Sequence, residues 1–311
     1  MKQYLSLARI DKPWAILLLL TPSLWGFFFH TNFLIHKIQF IEILKSLFIL
    51  LLGSILARSF GCVVNDIMDA DFDKNTSRTH TRPIASKNIS KKNGIVFAIV
   101  LAVLSSIMLF FIPVNAVYTC IIAFPLILLY PLAKRYTYYP QIILGIVFNL
   151  GIFVGYFLSL EITRLNFMEI NGEIFNPQIQ KQHYKLIILY LISILWTVIY
   201  DTIYAMQDIK YDIKNKVKAI TIVFCNVKFN NIDTINTSNC KNILFLINFI
   251  IFILLLFVFK FFTISFYISI ISTLTLFIII KLTFDNKISY KLGFNLNNIF
   301  GIFILFAILT S

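Results

Sequence analysis

Apolar residues run along this chain in solid blocks of roughly 20, separated by short polar segments. Nine blocks stand out, at 14–33, 42–64, 94–112, 115–132, 142–160, 186–206, 243–261, 263–282 and 296–310. A helix of such length matches the thickness of a bilayer. The blocks lack the alternation of polarity that the strands of a membrane barrel need. The pattern therefore predicts an all-α, polytopic bundle of about nine transmembrane helices. Pro22 predicts a bend inside the first block, and Pro113 marks the boundary between the third and fourth.

Composition supports that reading and removes others. The 311 residues are 59% hydrophobic and 13% charged, against about a quarter charged in ordinary soluble domains. A soluble monomer and a disordered chain are both excluded. The four cysteines, Cys62, Cys120, Cys225 and Cys240, are scattered and make no disulfide framework, so they read as free thiols. The first block continues through Trp25 to Phe29 without a small-residue cleavage site and reads as a retained anchor, not a signal peptide. The polar segment Glu161–Lys185 reads as a small outer cap, and Val227–Lys241 as a flexible extension. Residues 1–311 thus form a single transmembrane domain.

Charge supplies the expected orientation. With the N-terminus cytoplasmic, 20 of the 27 Lys and Arg fall on the cytoplasmic side, and Lys37, Lys45, Arg164, Lys181, Lys185 and Lys260 fall opposite. Nine spans then place the C-terminus outside. The net charge of +13 is accounted for by loops facing anionic lipid and implies no nucleic acid.

The acids are scarce, so their placement is informative. Of 14 carboxylates, four lie in Asn65-Asp66-Ile67-Met68-Asp69-Ala70-Asp71-Phe72-Asp73. Three more lie at Asp201, Asp208 and Asp212. Both segments sit at the cytoplasmic ends of blocks. On a helix Asn65, Asp69 and Asp73 share a face, and Tyr204 lies on the same side as the second set. Stacked carboxylates near lipid repel one another and require positive partners. A solvated helix end paired with nearby Lys and Arg is the plain alternative. It is disfavoured because ionisable residues at membrane depth are functional by default. Two facing acidic helix ends suit Mg²⁺, which takes one or two carboxylates together with substrate phosphates. Arg78 and Arg82 follow the first segment, Lys134 and Arg135 sit between the fourth and fifth blocks, and Lys210 and Lys218 adjoin the second segment. These are phosphate-binding residue types.

The first acid segment, with its tail Arg78-Thr79 and Arg82-Pro83, resembles the NDxxDxxxD and RTxxRP motifs of the UbiA-type intramembrane prenyltransferases. Asp201-Thr202-Ile203-Tyr204 through Asp208 and Asp212 is similar to the family's DxxYxxxDxxxD. Tyr130-Pro131-Leu132-Ala133-Lys134-Arg135, Pro140-Gln141, Leu144-Gly145 and Arg9-Ile10-Asp11-Lys12-Pro13 resemble the 4-hydroxybenzoate polyprenyltransferases within it. The chain departs from the family at Trp14-Ala15, where an Ile-Gly pair is usual, and at Ala219-Ile220, where Ser-Thr is usual.

The resemblance implies transfer of a polyprenyl group from its diphosphate to the ring carbon ortho to the hydroxyl of 4-hydroxybenzoate. That is a step of ubiquinone synthesis, in a bacterial inner membrane, within a central cavity open to the cytoplasm. It assigns Mg²⁺ to Asn65, Asp66, Asp69, Asp73, Asp208 and Asp212. It assigns diphosphate and substrate contacts to Lys134, Arg135, Arg78, Arg82, Lys210 and Tyr204. Arg9, Arg58 or Arg135 would hold the acceptor carboxylate. Asp201 would orient or deprotonate the acceptor, or serve as a further ligand. Two other readings stay open: a family member acting on a naphthoate, haem or chlorophyll precursor, and a proton-coupled transporter. A transporter more often places its acids at the midplane on broken helices. His80 has no His or Cys at zinc-ligand spacing, and Met206 reads as a packing residue.

Overall fold

The computed structural model describes residues 1–31, 38–74, 78–171, 183–215, 217–227 and 235–311, with the side chains of residue 134 and residues 166–171 outside that description. In chain order the helices are α1 (Lys2–Leu7), α2 (Pro13–Thr31), α3 (Phe40–Met68), α4 (Ala70–Asp73), α5 (Lys91–Met108), α6 (Val114–Tyr136) and α7 (Pro140–Phe148). They continue with α8 (Gly151–Asn171), α9 (His183–Ala205), α10 (Ile209–Lys214), α11 (Ile220–Phe224), α12 (Thr237–Val258), α13 (Ile264–Phe284) and α14 (Tyr290–Leu309). Among the described residues nine spans are long and apolar enough to cross a membrane. Each corresponds to one of the nine predicted blocks, so the chain is a multi-pass membrane protein.

Two boundaries differ from the hydropathy reading for physical reasons. The fifth block is two helices, α7 and α8, joined at Asn149 and Leu150. The Asn149 amide fills the break by donating to the carbonyls of Gly145 (2.7 Å) and Ser193 (3.2 Å) and to the Thr197 hydroxyl (2.8 Å). Glu161 is not the start of an outer loop, because α8 carries on to Asn171 and pairs Glu161 with Arg164 at 2.8 Å. Residues 172–182 of the expected outer cap, and residues 228–234 of the expected extension, lie outside the described residues. Pro22 lies within a continuous α2, and Pro113 stands directly before α6.

The bundle is organised around α2 and α9. About 61% of each is buried, against 17% of the span beginning with α5 and 22% of the α6 span. The latter two therefore face lipid. Between α2 and α9, Trp25 and Trp196 stack at 5.5 Å, with Phe300 of α14 against both. The Trp25 indole N–H donates to the Gly301 carbonyl at 2.9 Å. Helix α8 lies almost backbone to backbone on α2: a Cβ on Gly155 would stand 1.9 Å from the Ser23 carbonyl oxygen, and one on Gly26 1.8 Å from that of Ile152. Small residues permit such approach where lipid offers no hydrophobic drive between helices.

This topology sets the positions of the acid segments. The second and sixth spans, α3 and α9, both run back toward the side from which α2 departs. Their C-terminal ends, with the segments that follow them, therefore meet on the face that carries the N-terminal α1.

Candidate functional site

Each acid segment lies where a membrane helix gives way to a short one. Helix α3 ends at Met68, and Asp69 is both its C-cap and the residue before α4. The hydrogen-bond ladder nevertheless continues, from the Asp69 N–H to the Asn65 carbonyl (2.9 Å) and from the Asp73 N–H to that of Asp69 (2.8 Å). Asn65, Asp69 and Asp73 thus keep the shared face expected from their spacing. In the second segment α9 stops at Ala205 and α10 begins after Asp208, with the Asp212 N–H donating to the Asp208 carbonyl at 2.9 Å.

Arginines converge on these carboxylates. Asp66, 1% exposed, accepts from Arg9 Nη2 at 2.8 and 3.0 Å and from Arg82 Nη1 at 3.1 Å. The same Arg82 nitrogen donates to Asp73 at 2.6 Å. Arg78 forks onto Asp208, with Nε donating to one oxygen at 2.8 Å and Nη2 to the other. Its Nη1 donates to the Tyr204 hydroxyl at 2.8 Å, and its guanidinium lies 5.0 Å over the Tyr204 ring. One residue from the tail of the first segment therefore holds the second. A further tie comes from the Tyr211 hydroxyl, which donates to the Phe72 carbonyl at 3.0 Å.

Arg9 itself is held under backbone strain. Its φ is 56°, the left-handed region that costs a side-chain-bearing residue about 1–3 kcal/mol. Two contacts hold it there: its own pairing with Asp66, and its carbonyl, which accepts from Arg58 Nη1 at 3.0 Å. Arg58 is 8% exposed within α3. It lines an apolar cavity of about 440 Å³ between α2, α3, α5, α6, α7 and α8, and is the charged residue of that lining. Phe60, Phe124 and Phe148 supply ring faces to the wall, while Gly53, Ser54 and Ala57 keep the α3 side open.

The electrostatics match a site for an anion and its cations. Burial acts to lower the Arg9 value, but the Asp66 carboxylate outweighs it and the net shift is upward. Arg78 behaves alike, raised by its bonds to Asp208 and Tyr204 against the effect of burial. Burial pushes the Asp73 carboxyl up, with Arg82 pulling the other way. Lys12 is held below its ordinary value by burial and then by the field of Arg9, with Arg82 and Arg78 adding to it. An ammonium that feels the field of three guanidinium groups, offset in part by Asp11, marks a region that gains from added negative charge.

The other residues expected at the site lie at the two helix ends or on nearby elements. Asp69 is buried, and Asn65, Asp201 and Asp212 are half-buried at the two helix ends. Arg135 is exposed; its Nη2 donates to the Met68 carbonyl at 3.3 Å, and its guanidinium lies 5.7 Å over Phe72. It thereby caps the end of α3. Lys210 is exposed on α10, and among the described residues it makes no contact with the arginine–carboxylate cluster. The side chain of Lys134 lies outside the described residues. No group of three or more His, Cys, Asp or Glu side chains among the described residues forms a ready metal cage. In this arrangement Asp66, Asp73 and Asp208 are paired with arginine. Lys218 donates to the Tyr136 carbonyl at 3.3 Å and sits over the Tyr138 ring. Where the family usually has Ser-Thr, the Ile220 N–H at the start of α11 is satisfied by the Gln141 side chain at 3.3 Å.

Lys12, Tyr211 and Phe294, whose ring lies 4.9 Å from that of Tyr204, were not among the expected site residues. Lys12 and Tyr211 do lie within the quoted motif stretches. Phe294 carried no signal, since it is one of 33 Phe.

The model of the UbiA prenyltransferase family matches residues 16–299. A 4-hydroxybenzoate octaprenyltransferase of Francisella tularensis subsp. novicida (strain U112) is 34% identical over 229 residues, 74% of this chain and 72% of that protein. A mitochondrial 4-hydroxybenzoate polyprenyltransferase of Dictyostelium discoideum is 37% identical over 223 residues, 71% of this chain and 43% of that one. The apo structure of a UbiA homologue from Aeropyrum pernix K1 superposes with a TM-score of 0.69 at 17% identity, covering 94% of this chain and 96% of the other. A UbiA homologue from Archaeoglobus fulgidus bound to GPP and Mg²⁺ gives 0.67 at 18%, covering 99% and 100%. At those identities the structural likeness establishes the fold.

Proposed function

The chain belongs to the UbiA prenyltransferase family, and we propose that it transfers a polyprenyl group from polyprenyl diphosphate to 4-hydroxybenzoate. The bond forms at the ring carbon ortho to the hydroxyl, and diphosphate is released, as a step of ubiquinone biosynthesis. The observation that carries the reading is one arrangement. Arg78, from the tail of the first acid segment, holds Asp208 of the second, and the Arg9–Arg58 link leads from Asp66 to an apolar cavity of about 440 Å³. The names of the two relatives supply the acceptor.

The donors available for a metal are Asn65, Asp66, Asp69, Asp73, Asp208 and Asp212. They are oxygen ligands only, which fits a hard cation such as Mg²⁺. When bound there, Mg²⁺ would neutralise charge on the diphosphate leaving group. Arg78 and Arg82, which now pair with those carboxylates, present guanidinium forks to phosphate oxygens. Lys12 adds positive charge beside them. As the carbon–oxygen bond of the donor breaks, positive charge develops on the allylic carbon. The faces of Tyr204 and Phe294 stabilise that charge, and the apolar wall keeps water from capturing it. Arg58 holds the carboxylate of the acceptor inside the cavity. The ortho carbon supplies the electron pair for the new carbon–carbon bond, and the ring proton leaves to Asp201. The isoprenoid tail lies along the apolar cavity and on into lipid.

In this reading residues 1–311 work as one unit. The acid-bearing face with the N-terminus is cytoplasmic, the membrane is the bacterial inner membrane, and the cavity is entered from the cytoplasmic side. The charge bias of the loops supports that orientation.

Membranes carrying the protein, supplied with 4-hydroxybenzoate, a polyprenyl diphosphate and Mg²⁺, should form 3-polyprenyl-4-hydroxybenzoate, identified by mass spectrometry. Prenylation of a naphthoate in place of 4-hydroxybenzoate would overturn the acceptor assignment. Solute uptake without diphosphate release would overturn the reaction class.

A further inference from the structure

Three sulfur atoms from three separate elements meet in the core at the acid-bearing end. Met206 follows α9 inside the second acid segment, Cys225 closes α11, and Cys240 lies in the first turn of α12. Cys225 Sγ stands 3.7 Å from Met206 Sδ. The start of α12, which carries Cys240, is tied to the end of α11 by the Asn236 N–H donating to the Cys225 carbonyl at 3.0 Å and by the Asn239 side chain donating to the Phe224 carbonyl at 2.8 Å, and the Cys240 thiol interacts with that of Cys225. All three are shut away from solvent, with Met206 4% exposed and both cysteines 0%. Tyr290, the first residue of α14, lies within the electrostatic reach of both thiols.

Spacing and donor type point the same way. Three sulfurs bonded to one ion at about 2.3 Å in a trigonal arrangement lie roughly 4 Å apart, close to the 3.7 Å between Cys225 Sγ and Met206 Sδ. Thiolate and thioether together are a soft donor set that selects Cu(I). A thioether with only two thiolates fails the four-ligand N/S requirement of structural zinc. The oxygen donors of the neighbouring acid segments select the opposite class of cation.

We propose that Met206, Cys225 and Cys240 form a binding site for a single Cu(I) ion, separate from the prenyl-transfer chemistry. Binding forms two copper–thiolate bonds and one copper–thioether bond, and the two thiol protons pass to solvent. The ion ties α11 and α12 to the segment that leads into Asp208, so occupancy stiffens that end of the bundle.

The test uses the full chain in lipid nanodiscs with Cys62 and Cys120 replaced by Ser, titrated with Cu(I) against the chelator bicinchoninate. One Cu(I) per chain is expected, with a sulfur-only shell of three in X-ray absorption. Cys225→Ser and Cys240→Ser should weaken binding by at least about 100-fold, whereas Met206→Leu should weaken it about tenfold and leave two sulfurs. Met206→Leu preserves the packing, so it answers the question even if a cysteine variant misfolds. Prenyl transfer by copper-free Cys225→Ser should match that of the copper-free parent. Absence of uptake by the parent protein, affinity unchanged in the variants, or isolation of a Cys225–Cys240 disulfide would each overturn the site.

Discussion

Replacing Arg78 by Lys keeps the charge and removes the geometry that joins the two acid segments. The guanidinium makes three directed bonds at once, two to the Asp208 carboxylate and one to the Tyr204 hydroxyl. An ammonium on a flexible stem holds one such position at a time. The partners are largely covered, with side-chain exposures of 30% and 20%, so solvent screens the loss only in part. A hydrogen bond to a charged group contributes about 1.5–3 kcal/mol net, and a neutral one about 1 kcal/mol. Losing one of the Asp208 bonds and the Tyr204 bond therefore costs about 3 kcal/mol, equivalent to a fall of about 150-fold in kcat/KM. Tyr204→Phe removes only the charge-assisted bond that Arg78 donates to the hydroxyl, about 1.5 kcal/mol, and should cost about tenfold. The assay is prenyl transfer at saturating 4-hydroxybenzoate with the donor diphosphate and Mg²⁺ varied. Because Arg78 and Asp208 act as a pair, combining Arg78→Lys with Asp208→Asn should cost clearly less than the sum of the single effects. Near-wild-type kcat/KM in Arg78→Lys, or strict additivity in the double variant, would refute the bridge.

Three further outcomes follow from the same contacts. Arg58→Met should lower kcat/KM for 4-hydroxybenzoate by about 30–1000-fold, the loss of roughly 2–4 kcal/mol of charge-assisted bonding. Because Arg58 also holds the Arg9 backbone, a neutral phenol acceptor should lose some activity but clearly less than 4-hydroxybenzoate, and equal losses for both acceptors would count against a carboxylate role. Gly155→Ala places a methyl group 1.9 Å from the Ser23 carbonyl oxygen, so α2 and α8 must separate. A thermal-shift measurement in detergent should show destabilisation of about 1–3 kcal/mol or more, and an unchanged midpoint would contradict the close approach. Gly53 lines the cavity and has nothing within 4 Å of the Cβ it lacks. Gly53→Leu should accordingly fold normally yet shift donor preference toward shorter prenyl chains in a competition assay, and an unaltered chain-length profile would argue that the tail lies elsewhere.

Much of this architecture was legible in the order of residues, and the exceptions have physical causes. Hydropathy located all nine spans because each must satisfy its backbone groups within lipid. It did not show the break at Asn149, since the apolar run continues through it. The break depends on Gly151 meeting Ser23 and on the Asn149 amide finding Ser193 and Thr197. It also ended the fifth span too early, because the polar residues Glu161 and Arg164 pair along a helix that continues. The scarcity of acids singled out the two segments, and helical spacing gave their shared face correctly. Which arginine meets which carboxylate was not legible. Arg9 and Asp66 are 57 residues apart, and Arg78 and Asp208 are 130 apart, so packing alone brings them together. Arg135 shows the converse. Its charge suggested a phosphate contact, and nothing in the sequence announced the bond it donates to the Met68 carbonyl at the end of α3.

The central claim is that the two acid segments form one site, and single substitutions on each side test it most directly. Asp69→Ala on the first and Asp208→Ala on the second should each abolish Mg²⁺-dependent formation of prenylated 4-hydroxybenzoate and release of diphosphate, while both proteins still insert into the membrane. Full activity in either correctly inserted variant would contradict the account.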